Sequence, residues 1–144
     1  MNCIFTIQHN EIFYLPKWVK YYSMTFKPED MYIYSHNCFG ETLELLKEYE
    51  KLGYNVEYLS TDEIFNHAWL TNTVHEKQRE LLKKYKYVVF TDCDEFIIPS
   101  KGTLKDFMDN ATDNSYRCSG ASALEDKVYP DHLWYDKTLI TKIP

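Results

Sequence analysis

The pattern that most narrows what this chain can fold into is an alternation. Four short apolar runs, Cys3–Gln8, Met31–Ser35, Asn55–Leu59 and Tyr87–Phe90, are separated by three stretches with helical spacing. In the first, Ile12, Leu15, Trp18, Val19 and Tyr22 recur every three or four residues, which predicts a helix over about 11–25. Pro16 falls in its first turns, where a missing N–H costs least. The second helix is expected over 41–52, with Leu43, Leu46 and Tyr49 inward and Gly53 to end it. The third is expected over 73–86, with Val74, Leu81, Leu82 and Tyr85 on its apolar face. An irregular aromatic segment, Ile64–Leu70, precedes it, with Ser60 or Thr61 as the cap. Strand–helix three times over, then a strand, implies right-handed crossovers. The fold class is therefore α/β, a mainly parallel sheet flanked by helices.

The rest of the chain adds less. Leu104–Met108 reads as a short helix, and Tyr116–Leu124 and Lys137–Ile143 as further strands forming an antiparallel edge. A length of 144 residues fits one domain, residues 1–144, with no internal repeat or linker. The net charge of −6 and the scattered lysines argue against nucleic-acid binding through phosphates. An anionic ligand would need its repulsion offset, and a divalent cation bridging carboxylates to phosphate does this. Cys3, Cys38, Cys93 and Cys118 are too widely spaced for a structural zinc site and read as free thiols. With no signal-like start and no run long enough to cross a bilayer, the expected location is cytoplasmic. The 13 Tyr, 8 Phe and 3 Trp can build a core or wall a ring-shaped ligand; those of 129–135 fit an acceptor cleft or a subunit interface.

The chemistry concentrates where the fourth run stops. Tyr87-Val88-Val89-Phe90 leads into Thr91-Asp92-Cys93-Asp94-Glu95, and the apolar Phe96-Ile97-Ile98 follows as a second strand-like run. In a parallel sheet, ligands bind beyond the carboxyl ends of the strands, near a switch in strand order. Asp92, Asp94 and Glu95 lie at the end of strand 4. Asn10 and Glu11 lie at that of strand 1, and Ser35, His36 and Asn37 at that of strand 2. If the backbone stays extended, Asp92 and Asp94 point to the same side, a spacing that suits Mg²⁺ or Mn²⁺. The alternatives are plainer: an Asp-x-Asp turn, Glu11 as a first-turn acid, Asn10 as a helix cap, Trp18 in the core, and His36 on a solvated loop.

The segment "VVFTDCDEFIIP" resembles the hydrophobic–D-x-D-E-F–hydrophobic signature of glycosyltransferase family 2-like proteins of the GT-A fold. "HNEIFYLPKWVKYY" is similar to that branch's opening N-E-x-x-x-L-x-x-W-x-x-Y/H segment, and "MYIYSHNCFGETLELL" to its second strand and following helix. "KTLITKIP" is like a later segment, and Gln78 falls where the branch carries a Gln before D-x-D. The resemblance implies a nucleotide-sugar-dependent transferase, metal-dependent and inverting, acting on a glycan or other hydroxyl acceptor. Asp92 and Asp94 would hold the metal and the donor diphosphate. Asn10 and Glu11 would sit beside the nucleotide, with Glu95 and Gln78 as weaker candidates. It divides the chain into a donor-nucleotide half, about 1–99, and the start of an acceptor half, 100–144.

Two departures stand out. The branch commonly reads D-N-x-S-x-D after strand 2, where this chain has Ser35, His36, Cys38 and Gly40. His36 is the one remaining donor-site candidate there. The family's domain is also longer than 144 residues, so the expected acceptor half is cut short and its carboxylate base is unassigned. Glu125, Asp126 and Asp131 are the candidates within the chain. The competing functions are a GT-A-like nucleotide- and metal-binding module without turnover, and a metal-dependent nucleotidyl or phosphoryl transferase. The absence of G-x-x-x-x-G-K speaks against the ATP-type version of the last.

Overall fold

A computed structural model describes residues 1–59, 61–62, 65–113, 121–123 and 140–142. They fall in two compact units, Met1–Asn110 and Ala111–Pro144. The first holds strands β1 (Asn2–Gln8), β2 (Met31–His36), β3 (Asn55–Leu59) and β4 (Tyr87–Phe90). It also holds helices α1 (Leu15–Tyr22), α2 (Gly40–Lys51), α3 (His67–Leu81) and α4 (Leu104–Asn110). The strands form one all-parallel sheet in the order β3-β2-β1-β4. The chain lays strands outward from β1 through β2 to β3, then returns to place β4 on the other side of β1. The register pairs Ile4 with Met31 on one flank and with Val89 on the other. The switch in strand order thus lies between β1 and β4.

Strand alternation divides the core in two. Ile4, Met31 and Ile33 face Leu15, Trp18, Val19 and Tyr22 of α1 and Leu46 of α2. Cys3, Phe5, Ile7 and Tyr34 face Leu81 of α3 and Tyr85. Leu45 and Tyr49 of α2 also pack on the first cluster, while its second fully buried side chain is Thr42 instead of Leu43.

Three boundaries differ from the sequence-based expectation, each for a local reason. α1 starts at Leu15, not near residue 11, because Asn10 adopts a left-handed φ of 55° and residues 12–14 form a turn. Pro16 then occupies the first helical turn, as its chemistry favours. α3 begins at His67 because Asn66 caps it, its Oδ1 accepting from Trp69 N at 3.0 Å. Residues 67–70 of the aromatic segment thus join the helix, which stops at Leu81, leaving Leu82 exposed. Residues 96–98 form no strand: Phe96 and Ile97 pack on the α1 core and Ile98 is 54% exposed. The second unit contributes an antiparallel pair, β5 (Ala121–Ala123) with β6 (Ile140–Lys142), inside the two stretches expected to be strands.

Candidate functional site

β1 and β4 end side by side at the switch in strand order, so the segments leaving them, His9–Glu11 and Thr91–Glu95, share one rim. This is where an open parallel sheet binds its ligands.

The strand β4 does not carry the acids out in extended form. Glu95 N donates to Asp92 O at 3.0 Å, closing a turn with Cys93 and Asp94 in the middle. The expected same-side projection of Asp92 and Asp94 from a pleated strand therefore does not hold; the turn sets their directions. Glu95 folds back, its Oε2 accepting from Asp92 N at 3.3 Å. Cys93 points inward, 4% exposed, and shares a hydrogen bond with Thr6 Oγ1 at 3.4 Å. Burial, with Glu11, Asp92 and Asp94 adding, pushes its thiol up to about 12, so it stays protonated at neutral pH.

α1 anchors this turn from below. Trp18, wholly buried, donates from Nε1 to Thr91 Oγ1 at 2.8 Å, immediately before Asp92. Tyr22 donates to Glu95 O and accepts from Ile97 N, and Tyr21 donates to Ile97 O. Trp18 is core, as its helical spacing indicates, but its indole N–H also fixes the loop that bears the acids. Spacing alone could find the packing role. The pairing with Thr91, 73 residues away, becomes visible only once α1 lies against the end of β4.

The electrostatics of the rim are one-sided. Burial raises the Asp92 carboxyl above the ordinary aspartate range, and Glu95, Asp94 and Glu11 raise it further. Four carboxylates thus feel one another across the ends of β1 and β4. Among the described residues the ion pairs involve Lys27, Lys47, Lys77 and Lys105, and none includes these acids.

Other candidates are placed differently. Glu11 lies ahead of α1, whose first turn has no acid, so the helix-dipole explanation for it fails. Its amide donates to Gln8 Oε1 at 3.1 Å. Asn10 does not cap α1 either: its Oδ1 accepts from Phe39 N at 3.0 Å and ties the β1 exit to the β2 exit. His36 is no solvated loop residue. It ends β2, 3% exposed, with Trp69 and Phe65 rings 4.4 and 5.3 Å from its own. Gln78 sits half-buried near the far end of α3, about 18 Å of helix from the Asn66 cap, and is not gathered with the acids. Two open surface depressions run along α3, one including Gln78, and neither borders the acidic rim. Glu125, Asp126, Asp131 and Cys118 lie outside the described residues.

A family model for glycosyltransferase family 92 matches residues 2–140. The chain belongs to that family. No curated protein and no solved structure matches the chain. Family 92 membership supports glycosyl transfer, as the resemblance implied. The narrower attribution to family 2-like proteins of the D-x-D-E-F branch goes beyond what it supports. The all-parallel sheet flanked by helices is that of a GT-A-like nucleotide-sugar transferase. No helix among the described residues is long and apolar enough to cross a membrane.

A metal at this rim would have to fit the donor set that exists. Among the described residues no group of three or more His, Cys, Asp or Glu side chains could hold an ion. Asp92 and Asp94 would offer it two carboxylates, a set that fits a hard divalent ion completed by other oxygen ligands and does not fit a closed protein cage.

Proposed function

We propose that this chain moves a sugar from a nucleoside diphosphate sugar to a hydroxyl of a glycan or other acceptor. The observation that carries this reading is the crowding at the switch point. The carboxyl of Asp92 is raised by burial and by three neighbouring acids that no ion pair among the described residues offsets. Family 92 membership supplies the reaction class.

Asp92 and Asp94 would hold a Mn²⁺ or Mg²⁺ ion shared with the donor diphosphate. The ion would neutralise charge building on the leaving group. The chain's own residues do the rest. The α1 anchors fix the turn, while Asn10 and Glu11 border the nucleotide from the β1 exit, with His36 on the neighbouring strand. Inversion by single displacement needs a carboxylate base, for which Asp126 and Asp131 remain the candidates. On this reading about 1–99 form the donor half and 100–144 begin the acceptor half. The free thiols Cys3, Cys38 and Cys93 fit a reducing compartment such as the cytoplasm.

Calorimetric titration of UDP, GDP and UDP-sugars with and without Mn²⁺ tests the proposal. Binding should require metal and disappear in the double variant Asp92→Ala, Asp94→Ala. Mn²⁺ alone should bind weakly, since the protein offers two ligands. Nucleotide binding that ignores metal, or that survives the double substitution, would falsify the assigned site. A second reading, a binding module without turnover, draws on the β2 exit, where Ser35 and Gly40 stand in place of the two acids. Metal-dependent binding with neither donor hydrolysis nor transfer would favour it.

A further inference from the structure

We propose that Tyr22 is a positioning residue for the Asp92–Glu95 turn: its buried hydroxyl clasps the segment just after the acids and, with Trp18 holding Thr91 just before them, sets how the turn presents its carboxylates. The inference deepens the donor-site reading above and rests on it.

Packing does not explain the hydroxyl. The Tyr22 ring is fully buried, parallel to Phe96 at 6.1 Å and against Trp18 at 5.1 Å. Phenylalanine would fill that space equally well. A buried hydroxyl is unfavourable unless its donor and acceptor capacities are met. Here both are met by the backbone of one short loop. The O–H donates to Glu95 O at 3.1 Å, and the oxygen accepts from Ile97 N at 3.0 Å. Those two groups lie outside any sheet ladder, so Tyr22 does for them what a neighbouring strand would do. Tyr21 adds a third bond, to Ile97 O at 2.8 Å.

Trp18 and Tyr22 are four residues apart, hence on one face of α1. One grips Thr91 and the other grips Glu95, the two residues that bracket Asp92-Cys93-Asp94. Between those grips lie the carboxylates of Asp92 and Asp94, with Glu95 folded back on the Asp92 amide. Unclasped, the turn is held only by its own bonds between Asp92 and Glu95. Clasped, its two ends are fixed on α1 and the carboxylates keep one arrangement. Tyr22 touches neither metal nor donor; it acts through the loop.

Tyr22→Phe keeps the ring and removes both bonds. Thr91→Val removes the acceptor for Trp18 at the other grip. In each variant, NMR should follow exchange of the Glu95 amide, whose bond to Asp92 O closes the turn, calorimetry the Mn²⁺-dependent binding of UDP or GDP, and circular dichroism the fold. The expected result is a folded Tyr22→Phe protein whose Glu95 amide exchanges faster while the amides of the sheet are unchanged. Its metal–nucleotide affinity should drop about tenfold, in the range for residues that orient ligands. Thr91→Val should move both readouts the same way. A folded Tyr22→Phe protein with unchanged Glu95 exchange overturns the proposal. If that variant does not fold, unchanged Glu95 exchange in Thr91→Val overturns it instead. If the wild-type protein binds no nucleotide, the donor-site reading fails, and the exchange measurement still decides whether Tyr22 holds the turn.

Discussion

The exits of β4 and β2 lie two strands apart on one sheet and are built on opposite principles. At the β4 exit, side chains of α1 hold the backbone while the acids are left to the rim: Trp18 on Thr91, Tyr22 on Glu95 and Ile97, Tyr21 on Ile97. At the β2 exit the polar atoms turn inward. Cys38 Sγ accepts from Gln8 Nε2 and from Asn10 N, both at 3.2 Å. Phe39 N donates to Asn10 Oδ1, Asn37 bonds Thr61 in both directions, and His9 Nδ1 donates to His36 O. One loop is anchored and carries surplus charge; the other is neutral and pairs most of its polar groups with one another, with Ser35 Oγ buried without a hydrogen-bond partner among the described residues. A loop that keeps repelling charges in a fixed frame is suited to a cation-bridged ligand, while a loop that consumes its own polar groups is suited to shaping a wall.

If the β4 exit depends on α1, the largest stability loss should come from α1. Trp18→Ala empties a fully buried site and strips Thr91 of its donor, so the loss should be about 3–5 kcal/mol in urea unfolding. Asn10→Ala, at the β2 exit, should cost less, about 1–2 kcal/mol. It removes the Phe39 bond and places a β-carbon residue with no compensating side chain at a φ of 55°. Asn10→Gly should recover the conformational part and lose only the hydrogen bond. A loss at Asn10 as large as that at Trp18 would erase the distinction between the exits. Smaller again is Cys38→Ala, at about 1 kcal/mol, because Gln8 and Asn10 lose a weak sulfur acceptor at a half-exposed position.

The same contrast explains what was legible from residues alone. The sheet, its parallel sense and β3 and β4 to the residue followed from apolar runs alternating with helical spacing, because periodicity records burial. The acidic rim followed from topology, since strand ends converge wherever crossovers are right-handed. The shape of the Asp92–Glu95 turn did not. Asp-x-Asp after an apolar strand fits extended backbone and a turn equally well, and the Tyr22 clasp that favours the turn comes from 73 residues earlier in the chain. The role of Asn10 was hidden for the same reason. A residue before a helix reads as its cap, whereas here the partner is Phe39, on the far side of β2. The start of α3 was missed because Asn66 lay inside a segment whose aromatic residues masked the helical period.

The smallest expected effect tests the charge itself. The folded Asp92 carboxyl keeps its proton to higher pH than the ordinary aspartate value of 3.8. Between that value and the raised folded one, the folded state binds more protons than the unfolded state. Stability therefore falls as pH rises through this interval, and the penalty is complete above it. Asp92→Asn removes the charge, so its melting temperature should exceed that of the wild type at pH 7 and converge with it near pH 3.5. Asp92 is only half-buried, so solvent screening should hold the gain under about 1 kcal/mol. Thermal unfolding at the two pH values measures it. An equal gain at both would assign the effect to shape and not to charge, and the β4 exit would then be no more electrostatically loaded than the β2 exit. With Mn²⁺ and nucleotide present the order should reverse at pH 7, because the wild type would gain the bound state that the variant lacks.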